Sequence, residues 1–390
     1  MLIPARWRML FVLFLARTAL AYQFQTVASD GPFLIATLGI GFAELGTLIG
    51  LYMFPGIVIA LPGGMLAQRF GVKRLVLIGL ALMAVGGALT GTDSVALVFG
   101  GRLISGLGAV FVNVLMTKMV ADWFDGREIV TAMAMFISSW PLGIALGLIS
   151  FPPLAAAYSW VAVMQVAAAI AAVCLVLVAL IYRAPPDARP EAGRLQLELS
   201  RREWLLISLA GFIWGTFNAA YVILISFLPE LFAQRGYSLA EASRLVSLLA
   251  WAVIASVPLA GYLSERLRWP NFAMLGGLAA SAVAIAALPL AGAPVVPFAV
   301  IVAVIGLPPG PMMALASEAL RPENRATGMG VFYTWHYAAM TVLPALAGAA
   351  REFAGNPGAP ALFAAVLMVL AAAALVGFRL GQRKLATAGR

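Results

Sequence analysis

The chain has 390 residues, 63% hydrophobic and 11% charged, with 25 Lys and Arg against 16 Asp and Glu for a net charge of +9. Its mean hydropathy is +0.99. No soluble globular protein of this length is so apolar, so the composition excludes a soluble domain and points to a multi-span membrane protein.

A span needs about 20 apolar residues. Read that way, the sequence gives twelve spans, at approximately 7–28, 42–66, 74–92, 95–120, 129–151, 160–183, 204–228, 239–263, 271–290, 294–318, 327–350 and 360–381. The first begins like a signal peptide, with Arg6 and Arg8 ahead of an apolar run and Ala19-Leu20-Ala21 inside it. Arg17 interrupts that run and further spans follow, so the segment is expected to be retained. Arg17 lies ten residues in, near mid-depth. A guanidinium stays charged there, at a cost of roughly several kcal/mol unless it faces water or a partner. The acids nearest the membrane core are Glu44, Glu241 and Glu318, all close to span ends, and no mid-run carboxylate is offered. Arg17 therefore reads either as the positive wall of a cavity whose counter-ion is the substrate, or as a structural arginine bonded to helix carbonyls of a neighbouring unwound segment.

After span 2 comes Gly64-Met-Leu-Ala-Gln68-Arg69-Phe-Gly71-Val-Lys73-Arg74. Span 4 carries Arg102, Ser105, Gly106, Ala109 and Asn113 at helical spacing. Arg102, in its outer third, is expected to belong to the site, to snorkel outward, or to pair with Glu44 or Asp93. Span 5 carries Trp140-Pro141, and the proline removes one helix hydrogen bond. Cys174, the one cysteine, excludes an intrachain disulfide or a cysteine metal site.

The one long polar segment is 184–203, with Pro185, Pro186 and Pro190. It divides the chain into 1–183, an expected six-helix bundle, and 204–390, a second one, with 184–203 as a cytoplasmic linker. Gly261-Tyr-Leu-Ser-Glu265-Arg266 follows span 8 as Gly64-Met-Leu-Ala-Gln68-Arg69 follows span 2, an offset of 197 residues (261 − 64). Of the 25 Lys and Arg, 19 fall at the termini or in alternate loops. The net charge thus follows topology and does not mark a nucleic-acid surface. It places both termini in the cytoplasm and the chain in the inner (cytoplasmic) membrane.

The segment from Gly64 to Arg74 resembles the signature loop of the major facilitator superfamily, Gly-x-Leu-x-Asp-Arg-x-Gly-x-Lys/Arg-Arg. Arg102-Leu-Ile-Ser-Gly106-Leu-Gly108 resembles that family's Arg-x-x-x-Gly-x-Gly segment. The resemblance implies an all-α integral membrane protein with twelve transmembrane helices in two pseudo-symmetric six-helix bundles. It also implies a conformational gate at Gly64, Gln68, Arg69, Gly71, Arg74, Gly261, Glu265 and Arg266. Where the family has Asp, this chain has Gln68, which keeps a hydrogen bond and loses the charge at a helix N-terminus. A weakened latch between the halves is expected, and Gln68→Asp should favour the outward-open form. Arg17 followed by Gly31-Pro32 is similar to the cyanate-permease-like branch.

Arg17, Trp140, Trp214 and His336 lie 10, 11, 10 and 9 residues into spans that all run outward, so they share one level. The 197-residue offset maps Arg17 onto Trp214 and Trp140 onto Tyr337, beside His336. Helical stripes extend the candidate substrate site to Tyr22 and Gln25, Arg102 and Asn113, Asn218 and Tyr221, and Tyr333, His336 and Tyr337. The lone histidine reads equally as a packing residue.

A planar fork with Trp, Tyr and Asn donors suits a small anion with an apolar or planar part. The expected function is secondary active transport of a small organic or inorganic anion by alternating access, as proton-coupled symport. The proton would ride on His336 or on the substrate acid. Alternatives are a multidrug-type exporter, an anion exchanger or uniporter, a non-transporting receptor and, last, a membrane enzyme, for which no nucleophile–base pair, metal cluster or phosphate loop is found. A monomer in the lipid bilayer, without cofactor, is expected.

Overall fold

A computed structural model describes residues 4–60, 69–124, 128–185, 199–266, 269–292, 294–321 and 324–387. Helices α1 (Ala5–Ser29), α2 (Gly31–Leu38), α3 (Phe42–Leu51), α4 (Phe54–Ile59), α5 (Val72–Thr90), α6 (Val95–Phe124), α7 (Ile129–Ala157) and α8 (Trp160–Ile181) come first. Then follow α9 (Arg201–Ala233), α10 (Leu239–Arg266), α11 (Pro270–Ala287), α12 (Val295–Val304), α13 (Pro309–Ala319), α14 (Arg325–Ala354) and α15 (Ala359–Thr387). No strand occurs among the described residues. This all-α build follows from the solvent, because lipid offers no partner to backbone N–H and C=O groups and a helix satisfies them internally.

Among the described residues ten spans are long and apolar enough to cross a membrane, α3 and α4 counting together as one, or eleven if the bent pair α12–α13 is another. The 30-residue α14 falls outside that set because Thr334, His336 and Thr341 and the aromatic run around them lower its hydropathy. Two spans expected as continuous are broken. Span 2 divides into α3 and α4 around Tyr52 and Met53, just ahead of Pro55. Span 10 bends by 40° between α12 and α13, where Gly306, Pro308 and Pro309 interrupt the helix ladder. Span 1 gains the short α2, which ends at Gly39 with φ +65°.

The chain forms two compact units, Met1–Ile40 with Leu51–Gly193, and Gly41–Gly50 with Arg194–Arg390. In the first unit α5 and α6 meet through reciprocal glycines. A Cβ on Gly79 would stand 2.7 Å from the Gly108 carbonyl oxygen, and one on Gly108 2.2 Å from that of Gly79. Gly86 and Gly101 repeat this at 2.5 and 2.6 Å. Small residues let backbones approach where no hydrophobic drive separates helix from lipid. Helix α1 packs against α7, α8 and α6. Lys73 donates to the carbonyls of Ala179 (2.9 Å) and Tyr182 (2.7 Å), capping the end of α8 with a cation as the helix dipole favours.

In the second unit α9 is the central helix, packed on α14 and α15. Ser200 and Glu203 form a capping box at its start. At its far end Arg351 donates to Glu230 at 2.7 and 3.1 Å while lying 4.6 Å above the Phe42 ring.

The 197-residue repeat also relates one helix junction in each half. Arg6 pairs with Glu128 at 2.9 Å in the first unit. The equivalent positions are 203 and 325. Glu203, 3% exposed, there accepts from the Arg321 N–H and the Asn324 side chain, each at 3.0 Å. The helix junction fastened by an ion pair in the first half is thus fastened in the second by a carboxylate held by neutral donors.

Candidate substrate site

In the first unit the site is built on α1 and α7. Pro141 lies inside α7, and proline has no N–H to serve the carbonyl four residues earlier, that of Ile137. Arg17 supplies the donor. Its Nη1 donates to the carbonyls of Phe136 (2.8 Å) and Ile137 (3.2 Å), and reaches Ser139 Oγ at 3.4 Å. Its Nε donates to Asn113 Oδ1 at 3.1 Å, and its guanidinium lies 4.7 Å over the Phe136 ring. Arg17 is half-buried. The carbonyl-bonded reading of Arg17 therefore describes these contacts, with the difference that α7 is helical rather than unwound around them. The five named partners are neutral groups: two carbonyls, a hydroxyl, an amide oxygen and a ring.

The neighbouring candidates divide. Asn113 stays with Arg17, whereas the ring of half-buried Trp140 lies 5.4 Å from that of Phe24. Tyr22 is turned to α7, sharing a hydrogen bond with Ser150 (2.8 Å) and packing 4.2 Å from Phe151. Gln25 is fully buried and donates to Ser29 at 3.1 Å. Arg102, 1% exposed, donates to the carbonyls of Gln23 (3.1 Å) and Phe24 (2.7 Å) under the Tyr52 ring at 4.4 Å. It neither snorkels nor pairs with Glu44, whose carboxylate accepts from the Gly41 N–H at 2.6 Å.

In the second unit the cluster is aromatic. His336 has Trp214, Tyr333 and Tyr337 at centroid distances of 6.3, 6.2 and 5.3 Å. Its Nδ1 is buried without a hydrogen-bond partner among the described residues, as is the Tyr221 hydroxyl. Trp214 also stacks on Phe332 at 6.2 Å. Asn218 turns its amide onto the Trp214 carbonyl at 2.8 Å.

A model described as the Major Facilitator Superfamily matches residues 9–344. The chain belongs to that superfamily. The fold is similar to that of a bacterial homolog to the human lysosomal transporter Spinster, crystallised in an inward-facing and unoccupied conformation. The TM-score is 0.72 at 19% identity, over 98% of each chain. Among curated relatives, the probable galactarate/D-glucarate transporter GudP of Bacillus subtilis (strain 168) is 24% identical over 67% of this chain and 65% of its own length. The choline/ethanolamine transporter FLVCR2 of Homo sapiens is 23% identical over 48% and 38%. The 3-(3-hydroxy-phenyl)propionate transporter of Escherichia coli (strain K12) is 28% identical over 65% and 63%. The matches thus span less than two thirds of these relatives' lengths.

Of the superfamily's signature residues, Gly64 and Gln68 lie outside the described residues, as do the side chains at 261 and 265. Gly71 takes φ +86° directly before α5, a backbone state that favours glycine. Arg69 and Arg74 are exposed, Arg69 lying 5.5 Å over the Phe70 ring. Arg266 donates to the Tyr262 hydroxyl at 3.2 Å.

One acid corrects the sequence reading. Asp30 is fully buried, whereas Glu44, Glu241 and Glu318 were the acids expected nearest the core. Those three have partners: Gly41, Ser238 and Arg379 respectively. Asp30-Gly31-Pro32 reads as a turn beyond the span, and nothing local in the sequence signals that the turn is covered.

Proposed function

We propose that the chain is a secondary active transporter of a small organic or inorganic anion, working by alternating access as a proton-coupled symporter. Family membership makes it a membrane transport protein rather than an enzyme. The observation that carries the anion reading is Arg17, a mid-depth guanidinium held in place by carbonyls, Asn113 and Ser139. Such anchoring fixes a planar donor fork, which is what recognition of a carboxylate or similar anion needs. The names of two relatives, for galactarate/D-glucarate and 3-(3-hydroxy-phenyl)propionate, agree with an organic acid.

In this reading 1–183 and 204–390 are the two six-helix bundles and 184–203 the cytoplasmic linker of a monomer in the inner membrane, both termini inside. Tyr22, Gln25, Arg102, Asn113, Trp140, Trp214, Asn218, Tyr221, Tyr333, His336 and Tyr337 complete the substrate set. Gly64, Gln68, Arg69, Gly71, Arg74, Gly261, Glu265 and Arg266 form the gate. A cation-transporting reading is favoured by the FLVCR2 match.

The test is thermal stabilisation of purified protein by galactarate, 3-(3-hydroxyphenyl)propionate and choline, in wild type and in folded Arg17→Ala. Stabilisation by an anion in wild type alone supports the proposal. Equal stabilisation of both by choline replaces it with the cation reading. Transport unchanged when a pH gradient is collapsed would refute symport.

A further inference from the structure

In the second unit, α9 runs unbroken for 33 residues through Phe227. The repeat-equivalent position in the first unit is 30 (227 − 197), where the helix breaks into α1 and α2. The residue at the break is Asp30, with φ −100° and ψ 10°. Its backbone remains in the ladder, donating to the Thr26 carbonyl at 3.0 Å and accepting from the Leu34 N–H at 3.0 Å. Its side chain is 0% exposed, and neither carboxyl oxygen has a hydrogen-bond partner among the described residues.

An ionised carboxylate without donors is among the most unfavourable groups a folded interior can hold, and such a group neutralises instead. Pairing does not offer another way out. Helix α1 packs on α2, α6, α7 and α8. Helices α2 and α7 carry no Asp, Glu, His, Lys or Arg, and the one titratable group of α8 is Cys174. Helix α6 carries Arg102, Lys118 and Asp122; Arg102 is turned to the Gln23 and Phe24 carbonyls, and Lys118 pairs with Asp122. Asp93 lies in the exposed turn ahead of α6, and Tyr158 is exposed after α7. On α1 itself, Tyr22 is the group that feels Asp30 electrostatically, and its hydroxyl is occupied by Ser150. Asp30 lies one residue beyond the end of α1, where burial pushes its carboxyl well above the usual range.

We propose that Asp30 is a proton-binding site at the end of the first span: it holds a proton in the closed arrangement of α1 and α2 and gives it up to water when that junction opens. This rests on the symport reading and names the residue that carries the proton. The balance is simple. The carboxyl O–H breaks, the proton leaves to water, and the carboxylate left behind favours the open junction until it is protonated again. His336 and the substrate acid, the carriers expected from sequence, are then not needed for coupling.

The test compares wild type with Asp30→Asn and Asp30→Leu as full-length purified protein. A group whose folded pKa is raised stabilises the fold fully below its unfolded value. That stability is lost as pH rises through the folded value. Melts from about pH 4 to about pH 9 should show wild type falling relative to both variants as pH rises, by up to about tenfold in unfolding equilibrium constant per pH unit, then levelling. A difference that does not change with pH overturns the proposal. Infrared titration of wild type should show a protonated carboxyl band near neutral pH that Asp30→Asn lacks; no such band in wild type also overturns it, whether or not the variants fold. In liposomes with galactarate as the probe, Asp30→Asn should retain exchange and lose accumulation driven by a pH gradient; unimpaired accumulation refutes the assignment. A wild type that does not move galactarate tells against the anion reading, and the melts and the band then decide Asp30 by themselves.

Discussion

Arg17 answers to two masters, the Pro141 gap in α7 and the proposed anion, and the two roles can be separated. Removing the guanidinium by Arg17→Met leaves the Ile137 carbonyl without its side-chain donor and without a helix donor, because position 141 is proline. An acceptor left unsatisfied in the membrane interior, where water is not there to replace the donor, costs about 1–3 kcal/mol. Loss of the ring contact with Phe136 adds about 0.5–1 kcal/mol. Relief of the cost of keeping a charge at mid-depth works the other way. A net destabilisation of about 2 kcal/mol is expected, read as a lower melting temperature. Pro141→Ala restores an N–H to the Ile137 carbonyl. In that background Arg17→Met should cost less by about 1–2 kcal/mol, a coupling that a double-mutant cycle measures directly. Anion stabilisation should stay lost in the double variant, because no backbone repair replaces a cation. Additive melting losses would refute the carbonyl argument. Anion stabilisation recovered with Pro141→Ala would show that Arg17 acts through the shape of α7 and does not touch the ligand.

Gly108→Leu should abolish folded, monodisperse protein, since its Cβ would overlap the Gly79 carbonyl, whereas Gly100→Ala meets nothing within 4 Å and should elute and melt as wild type. Glu230→Gln should cost about 1–2 kcal/mol, less than a fully buried pair because both partners keep some solvent contact; an unchanged melt would show the Arg351 contact contributes nothing. Glu203→Gln should cost about 2–3 kcal/mol in melts, because it turns an amide N–H toward a site already filled with donors from Ser200, Arg321 and Asn324; Glu203→Ala costing no more would argue that the charge is irrelevant.

What the sequence made legible was whatever one helix decides by itself. Apolar runs located the spans, and counting along span 1 put Arg17 at mid-depth. Partners came from elsewhere in the chain. Arg17 is 96 residues from Asn113 and 120 from Ile137, and no local pattern ties them. Pro141 could be read as a missing helix bond but not as a docking point for a particular cation. Hydropathy carried the reading of span 10 straight through Gly306, Pro308 and Pro309, although those residues forbid a straight helix. Asp30 escaped for the opposite reason. Its local sequence is that of an exposed turn, and its burial depends on how α1 and α2 sit on α6, α7 and α8.

The repeat gives these contacts a common logic. Within each unit the first long helix packs on the fifth, α1 on α7 and α9 on α14. The offset of 197 carries Arg17 to Trp214 and Ser139 to His336. Arg17 reaches Ser139 at 3.4 Å in the first unit, and the Trp214 and His336 rings lie 6.3 Å apart in the second. One contact position has therefore been kept and its chemistry changed, a cation on helix carbonyls in one half and stacked rings in the other. The shared fold accommodates both chemistries at this position. In the proposed function Arg17 serves the charge of the substrate, and Trp214 an apolar or planar body. Substitutions at Arg17 should then change which charges are accepted, and those at Trp214 should change which bodies are.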